Sequence, residues 1–323
     1  MTNNKLVVLY SGMGGSTLGF LQNGYEVHKA YDNDPEAHKT WGSNAHLGLV
    51  NHTLVDLTNE EYKDAVHVDT LLASPMCSTS SPINPEGKEE SGDVLAALSI
   101  IRGLAAYTPN RFVLDTITRY PEVCREAWKI LINGLIENNY LFETWKLNAK
   151  HYSIPQHRER LFLVARRNSF IGWRIPQRDN KSPGWYASLE DLIPRLETFE
   201  LKHEKSVKVE NKIRKAECNQ EISPWYLVAH SGAQTTWRPR PMWDVAPTIK
   251  SLRMSRASLG QLVLVNRKDF STGYRLTPRA YARLQGIPDE YVLFDEYIMG
   301  SLIGNAVPTP LMSEIAKSIS NPL

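Results

Sequence analysis

The sequence predicts an α/β fold, doubly wound around a mostly parallel sheet, with a second, smaller lobe. Three observations carry this expectation. Strand-like and helix-like stretches alternate through the first 167 residues, a glycine-rich turn sits at the first strand-to-helix junction, and the texture changes after residue 168. "KLVVLYSG" reads as the first strand and "STLGFLQNG" as a helix ended by Gly24, followed by a second strand, "YEVHKAYDND", and a helical "PEAHKTWGSNA". "VDTLLAS" is a strand, "VLAALSIIRGLAAY" a helix, "RFVLDTI" a strand and "EAWKILINGLIENN" a helix, and "RLFLVARR" closes the section as another strand. Strand and helix in turn are the order of sheets that carry helices on both faces and bind ligands at their carboxyl edge.

From about Asn168 to Tyr274 prolines and tryptophans rise, charge runs such as "ELKHEKSVKVENKIRKAE" appear and the periodicity weakens. The tail, "RLTPRAYARLQGIPDEY" followed by "LIGNAVPTPLMSEIAKSI", recovers helical spacing, with apolar Leu311, Ile315 and Ile319. The expected division is therefore 1–168, a small lobe over 169–274, and 275–323 returning to the first lobe. No internal repeat is present.

Composition narrows the function classes. The 323 residues are 42% hydrophobic and 22% charged, ordinary for a folded globular protein. No apolar run reaches the roughly 18 residues of a membrane helix, and "MTNNKLVVLY" has neither the basic region nor the cleavage site of a signal peptide, so a cytoplasmic protein without membrane partners is expected. Three cysteines, Cys77, Cys124 and Cys218, are too few and too scattered for a disulfide framework or a metal cluster, and no metal is expected. The net charge of +2 gives no signal by itself, but basic residues gather in "IPQHRERLFLVARRN", "WRPRPMW" and "KSLRMSRAS", which hints at a phosphate-bearing partner.

At the amino end, "VVLYSGMGGSTLGF" places Gly12, Gly14 and Gly15 between strand and helix, where glycines permit a tight turn and let a ligand approach the backbone. Asp32 and Asp34 end the second strand, where a carboxylate can accept from ribose hydroxyls. A pyrophosphate-binding fingerprint would need glycine at position 17, which is Thr17, so a dinucleotide is disfavoured. A phosphate-free adenosine cofactor such as S-adenosylmethionine needs only the turn and the ribose carboxylate. Asp56, after a third apolar stretch, is placed to meet an adenine amine, and Tyr10 joins the candidate cofactor set. The plain alternative is ordinary turn glycines and surface aspartates.

Cys77 follows the "VDTLLAS" strand and Asp115 ends "RFVLDTI", so both project from the carboxyl edge of the sheet. A carboxylate closing an apolar strand is either a helix cap or a functional acid. Gln156, Arg158 and Arg160 fall two apart, so on an extended segment they point to one side; the alternative is a solvated basic strand edge.

These residues together resemble the cytosine-5 DNA methyltransferases, over nearly the whole chain and in the family's order. "LYSGMGGSTLGF" is similar to the family's cofactor loop, "DND" to its ribose-binding segment, and "SPMCS" to its nucleophile loop. "LDTI" stands at the Glu-Asn-Val position, "QHRER" matches Gln-x-Arg-x-Arg, and "RLTPRAYARLQGIPDEY…IGNAVP" matches the closing motifs; "VAPTI" at 245–249 resembles the end of the recognition region. The resemblance implies a Rossmann-like methyltransferase fold with a target-recognition lobe, S-adenosylmethionine as cofactor with Asn305 near it, and double-stranded DNA as substrate. It also implies a covalent Cys77 nucleophile attacking a base flipped from the duplex, Asp115 as the charge-stabilising acid, Arg160 on the base O2, Arg158 holding the catalytic loop, and Gln156 and Ser81 near the substrate. Arg238, Arg240, Arg253 and Arg256 are the candidate DNA readers. A monomer is expected, with a cognate restriction endonuclease as a candidate partner.

Three positions depart from the family pattern. Met76 replaces a proline, Thr116 an asparagine, and Asp115 a glutamate, shortening the acid's reach by roughly 1.3 to 1.5 Å. The recognition lobe is short, which suggests a short target site. Two other readings fit the same residues: a catalytically weakened or silent DNA-binding partner, and an enzyme acting on RNA cytosine or a modified pyrimidine. A dinucleotide oxidoreductase fits least, because of Thr17.

Overall fold

The computed structural model describes residues 4–59, 61–63, 65–76, 88–167, 173–179, 182–217, 221–229, 238–251, 262–294 and 296–320. Cys77, Ser81, Cys218, Arg253 and Arg256 lie outside them. The chain divides into two compact units, the first formed by Met1–Asn148, Glu159–Arg178 and Thr309–Leu323, the second by Ala149–Arg158 and Asp179–Pro308.

In the first unit the elements run β1 (Lys5–Leu9), α1 (Gly15–Leu21), β2 (Glu26–Asp32), α2 (Pro35–Ser43), β3 (His52–Leu54), β4 (Thr70–Ala73), α3 (Ser91–Tyr107), β5 (Arg111–Thr116), α4 (Tyr120–Val123), α5 (Arg125–Glu137), β6 (Tyr140–Asn148) and β7 (Glu159–Arg167). The seven strands order as β3-β2-β1-β4-β5-β7-β6. Strands β1 to β5 pair in parallel, and β7 lies antiparallel between β5 and β6. Alternate residues decide the layers, because successive side chains on a strand face opposite ways. Val7, Leu9, Leu71, Ala73, Phe112, Leu114, Leu163 and Ala165 form one core with Ile100, Leu104, Leu131 and Leu135 of α3 and α5. The intervening Leu6, Val8, Leu72, Val113, Phe162 and Val164 are equally buried, so the sheet is covered on both faces.

Later segments close the unit. Helix α9 (Thr309–Ser320) packs so tightly on α1 that a Cβ on Gly19 would stand 2.6 Å from Met312 Cβ and from the backbone of Thr309 and Ser313. Glu89 caps α5 through both carboxylate oxygens, accepting from Glu126 N at 3.1 Å and Ala127 N at 2.7 Å, where a negative charge also meets the positive helix end. Cys124 is buried between α4 and α5, as expected of a structural cysteine.

The second unit has its own five-stranded antiparallel sheet, ordered β10-β9-β11-β12-β8, from β8 (Thr198–Glu200), β9 (Trp225–Ala229), β10 (Arg240–Pro241), β11 (Leu262–Asn266) and β12 (Asp269–Arg275). Helix α6 (His203–Glu217) lays Ile213 and Val209 on Tyr226, Val228, Val263 and Val265. Helices α7 (Pro278–Leu284) and α8 (Glu296–Asn305) complete it.

The observed boundaries depart from the expected ones. Segment 149–158 and residues 275–308 cluster with the second unit, and the return to the first begins at Thr309. The physical reason lies in pairing: Gln156 bridges Ala246, Tyr152 bridges Asp179, Arg283 pairs with Asp191, and Tyr281 OH accepts from Leu262 N of β11. Among the described residues no helix is long and apolar enough to cross a membrane.

Candidate active site

The carboxyl ends of β1, β2, β3, β4 and β5 all leave the same edge of the first sheet, because these strands are parallel and in register: Leu9 pairs with Tyr31 and Ala73, Asp32 with Leu54, and Ala73 with Leu114. From β1 the chain connects outward on one side to β2 and β3 and on the other to β4 and β5, which makes this edge a topological switch point.

The glycine turn after β1 is built by backbone conformation. Tyr10, Gly12 and Gly14 have φ of 57°, 51° and 88°, a left-handed region that glycine enters without strain. A Cβ on Gly12 would meet nothing within 4 Å, whereas one on Gly14 would meet Leu49 Cδ1 at 2.9 Å. Gly15 opens α1, and its carbonyl accepts from Thr309 Oγ1 at 3.1 Å. Asp32 braces the turn: its Oδ2 accepts from Gly12 N at 2.8 Å and its Oδ1 from Asp34 N at 2.9 Å. Burial holds the Asp32 carboxyl above the usual carboxylate range, against the pull of these amides.

The other candidate cofactor residues are placed differently. Asp34 caps α2, accepting from Glu36 N at 2.8 Å with Pro35 at the first helical position. Its position as a helix cap was already visible in "DPE", and one oxygen is committed to that structural bond. Asp56 is exposed and held by Thr58, through N at 2.9 Å and Oγ1 at 2.8 Å, which keeps its carboxyl below the usual range. Tyr10 hydrogen-bonds Ser99 Oγ at 2.7 Å, and burial raises its phenol. Asn305 ends α8 in the second unit and is exposed.

The sequence reading missed the supports of this edge. Arg102 of α3 donates to the carbonyls of Leu57 at 3.1 Å and Thr58 at 2.7 Å, fixing the segment that carries Asp56. A lone arginine inside the apolar "LSIIRGLAAY" was the available signal. Ser11 Oγ lies 2.9 Å from His52 Nε2, and His52 Nδ1 lies 2.7 Å from His38 Nδ1. Burial, with His38 beside it, holds the His52 imidazole down at about 4.

The acid at the other side of the edge is Asp115. It is 4% exposed, at the end of β5. Ser74, the first residue after β4, donates from Oγ to Asp115 Oδ2 at 3.2 Å, and Arg160 Nε lies 3.8 Å from Asp115 Oδ1. Strand pairing brings Arg160 here: Asp115 pairs with Phe162 and Thr116 with Leu161, so β7 begins where β5 ends. Met76, next along the chain from Ser74 and Pro75, is 70% exposed, and Cys77 follows it.

Gln156, Arg158 and Arg160 do not share one face of a strand, because β7 begins at Glu159. Gln156 and Arg158 are 0% and 3% exposed, and both belong to the second unit. Gln156 Nε2 donates to Leu284 O and Gln285 Oε1, each at 3.1 Å, and its Oε1 accepts from Ile249 N at 3.3 Å. Arg158 donates to Ile249 O at 2.8 Å and Gly304 O at 2.9 Å. A solvated basic edge is therefore excluded, and these two side chains bind the segments around "VAPTI", "LQG" and "IGN" to one another. Arg238 and Arg240 both donate to Asp244 Oδ2 at 3.0 Å in the second unit.

The sheet order and the glycine turn at its switch point define an open α/β fold of the methyltransferase kind, and similarity to solved structures agrees on the fold. An Entamoeba histolytica methyltransferase, EhMeth, matches with a TM-score of 0.65 at 14% identity over 99% of this chain and 98% of that one. The S. pombe Dnmt2 methyltransferase matches at 0.59 and 18% identity over 98% of each chain. Residues 5–321 match the model of the C-5 cytosine-specific DNA methylases, and the chain belongs to that family. Curated relatives include the Type II methyltransferase M.MthTI of Methanothermobacter thermautotrophicus, 26% identical over 99% of this chain and 98% of the relative. M.AplI of Arthrospira platensis is 26% identical over 98% of this chain and 86% of the relative.

Proposed function

We propose that the chain transfers a methyl group from S-adenosylmethionine to carbon 5 of cytosine in double-stranded DNA, through a covalent Cys77 adduct on a base flipped out of the duplex. The observation that carries this is the Ser74–Asp115–Arg160 constellation, a buried acid bonded to Ser74, which stands three residues before Cys77 in the sequence.

The cofactor fits the turn after β1. Gly12 leaves open space where a side chain would stand, Asp32 fixes the turn, and Thr17 in place of a third glycine leaves no pyrophosphate fingerprint. Tyr10, Gly12, Gly14, Asp32 and Asp56 would hold it, and when bound it supplies an electrophilic methyl on a positively charged sulfur. The Cys77 thiolate adds to carbon 6 of the ring, which makes carbon 5 enamine-like and nucleophilic. A proton taken up at N3 as the thiolate adds keeps the ring neutral; the Asp115 carboxylate accepts from that N3–H and from the exocyclic amine, and Arg160 donates to O2. After carbon 5 carries the methyl, its proton passes to water, the thiolate is expelled and N3 gives up its proton, which restores the ring. Ser74 fixes the orientation of the shorter acid, its hydroxyl donating to the Asp115 carboxylate.

Relatives named as Type II methyltransferases support a restriction–modification role with a cognate endonuclease. DNA in which 5-fluorocytosine replaces cytosine tests the covalent step, because fluorine at carbon 5 cannot leave as a proton does. A denaturation-resistant complex formed by the wild type and absent from Cys77→Ala is expected. A complex that survives in Cys77→Ala would contradict the assignment.

A further inference from the structure

The second unit presents a tryptophan and a carboxylate that the catalytic reading does not use. Residues 240–244 form a turn closed by Asp244 N donating to Pro241 O at 2.9 Å. This turn is clamped from behind. Trp185 donates from N to Asp244 O at 2.8 Å and from Nε1 to Pro241 O at 2.7 Å, Tyr186 N donates to Met242 O at 3.3 Å, and Met242 N donates to Ser223 Oγ at 3.1 Å. Gly184 lies so close that a Cβ there would stand 2.4 Å from Met242 O. On this rigid base Trp243 is 44% exposed and shares a cleft with Glu221, Arg238, Pro241 and Asp244.

An exposed aromatic beside arginines on a pre-organised turn has the chemistry of a recognition surface. Asp244 shapes what the arginines can do. Its Oδ2 accepts from both Arg238 Nη2 and Arg240 Nη1, and its Oδ1 accepts from Val245 N at 2.8 Å. The carboxylate therefore holds two guanidinium forks side by side and competes with phosphates for them. In the major groove a G·C pair offers two acceptors, guanine N7 and O6, next to one donor, the cytosine N4 amine. A guanidinium flanked by a carboxylate is the complementary array of donors and acceptor. An A·T pair sets a donor between two acceptors and adds a methyl, which this array does not match.

Resting on the DNA-methylating function proposed above, we infer that Asp244, with Arg238 and Arg240, reads one G·C pair beside the target base, and that Trp243 packs against the same stretch of DNA. Asp244 is a specificity-determining residue; Trp243 contributes affinity without base preference.

Selection of bound duplexes from a pool with a fixed cytosine and random flanks tests this without requiring turnover. The wild-type protein is expected to enrich G·C at one fixed flanking position. Asp244→Asn keeps the shape, removes the charge, and is expected to reduce that enrichment about tenfold or more while raising affinity for unrelated DNA. The double variant Arg238→Gln/Arg240→Gln is expected to lose the enrichment, and Trp243→Ala to bind all duplexes more weakly with the preference intact. Enrichment that is absent in the wild type, or unchanged in both Asp244→Asn and the double variant, overturns the inference. Base selection as expected without methyl transfer would leave it standing and overturn the catalytic reading, whereas methyl transfer without the expected selection does the reverse. A wild-type protein that binds no duplex overturns both.

Discussion

Arg160 and Asp115 face each other across adjacent antiparallel strands, Nε to Oδ1 at 3.8 Å, with side chains 14% and 5% exposed. The pair joins the start of β7 to the end of β5, so the fold itself sets the guanidinium beside the acid. Arg160→Leu is expected to lower kcat about a hundredfold or more with little change in KM, as for loss of a donor that acts on developing charge. Arg160→Lys, with a charge but no fork, is expected to recover part of this. Single-turnover methyl transfer measures it, and unchanged kcat in Arg160→Leu would remove the arginine from the chemistry.

Asp32 accepts two backbone amides, one in each of the loops after β1 and β2. An amide side chain has only one oxygen, so Asp32→Asn sets an NH2 against one of those N–H groups. Calorimetric titration with S-adenosylmethionine should show a Kd raised by about tenfold, in line with a hydrogen bond to a charged group. An unchanged Kd would detach the carboxylate from the cofactor site.

His52 gives the protein an acid sensitivity. Its imidazole titrates at about 4 in the fold because it is partly buried and faces His38. In the unfolded chain an imidazole titrates near 6.5, so between about 6.5 and 4 the unfolded state binds the proton first. Stability therefore falls as pH drops through that window. His52→Gln should flatten the decline in urea midpoint between pH 7 and pH 4.5; an unaltered slope would assign the acid sensitivity elsewhere.

Gly19 marks where α1 meets α9. A methyl there meets backbone atoms of Thr309 and Ser313 at 2.6 Å, which cannot swing aside. Gly19→Ala should destabilise by about 1–3 kcal/mol as overpacking. Gly92 on α3 has nothing within 4 Å of a built Cβ, so Gly92→Ala should stabilise by about 0.5–1 kcal/mol. Urea midpoints that fail to move in opposite directions would contradict the packing account.

The alternation of the first unit was legible because its strands and helices carry nearly continuous apolar runs. Strand β6 escaped notice because Leu141 and Phe142 of "YLFETWKLN" are both exposed, which breaks the two-residue period of a half-buried strand. The antiparallel course of β7 was not readable, since direction is set by the partner strand. Helix α6 was read as a charge run because its fifteen residues hold one buried side chain, Ile213, too thin a stripe to show. In the site, Asp115 and Arg160 were found by strand ends and motif, whereas Ser74 needed the contact itself. The two-residue spacing put Gln156 and Arg158 on one face with Arg160, a spacing that loses its meaning where β7 begins at Glu159; their expected roles, Gln156 near the substrate and Arg158 on the catalytic loop, came from the resemblance alone.

The proposed reaction is methyl transfer to carbon 5 of cytosine by way of Cys77. Incubation of wild type and Cys77→Ala with methyl-labelled S-adenosylmethionine and unmodified duplex DNA, followed by nucleoside mass spectrometry, tests it most directly. 5-Methylcytosine is expected from the wild type alone. Label on another base or on the cytosine amine, 5-methylcytosine from Cys77→Ala, or no product from a wild type that binds the cofactor would contradict it.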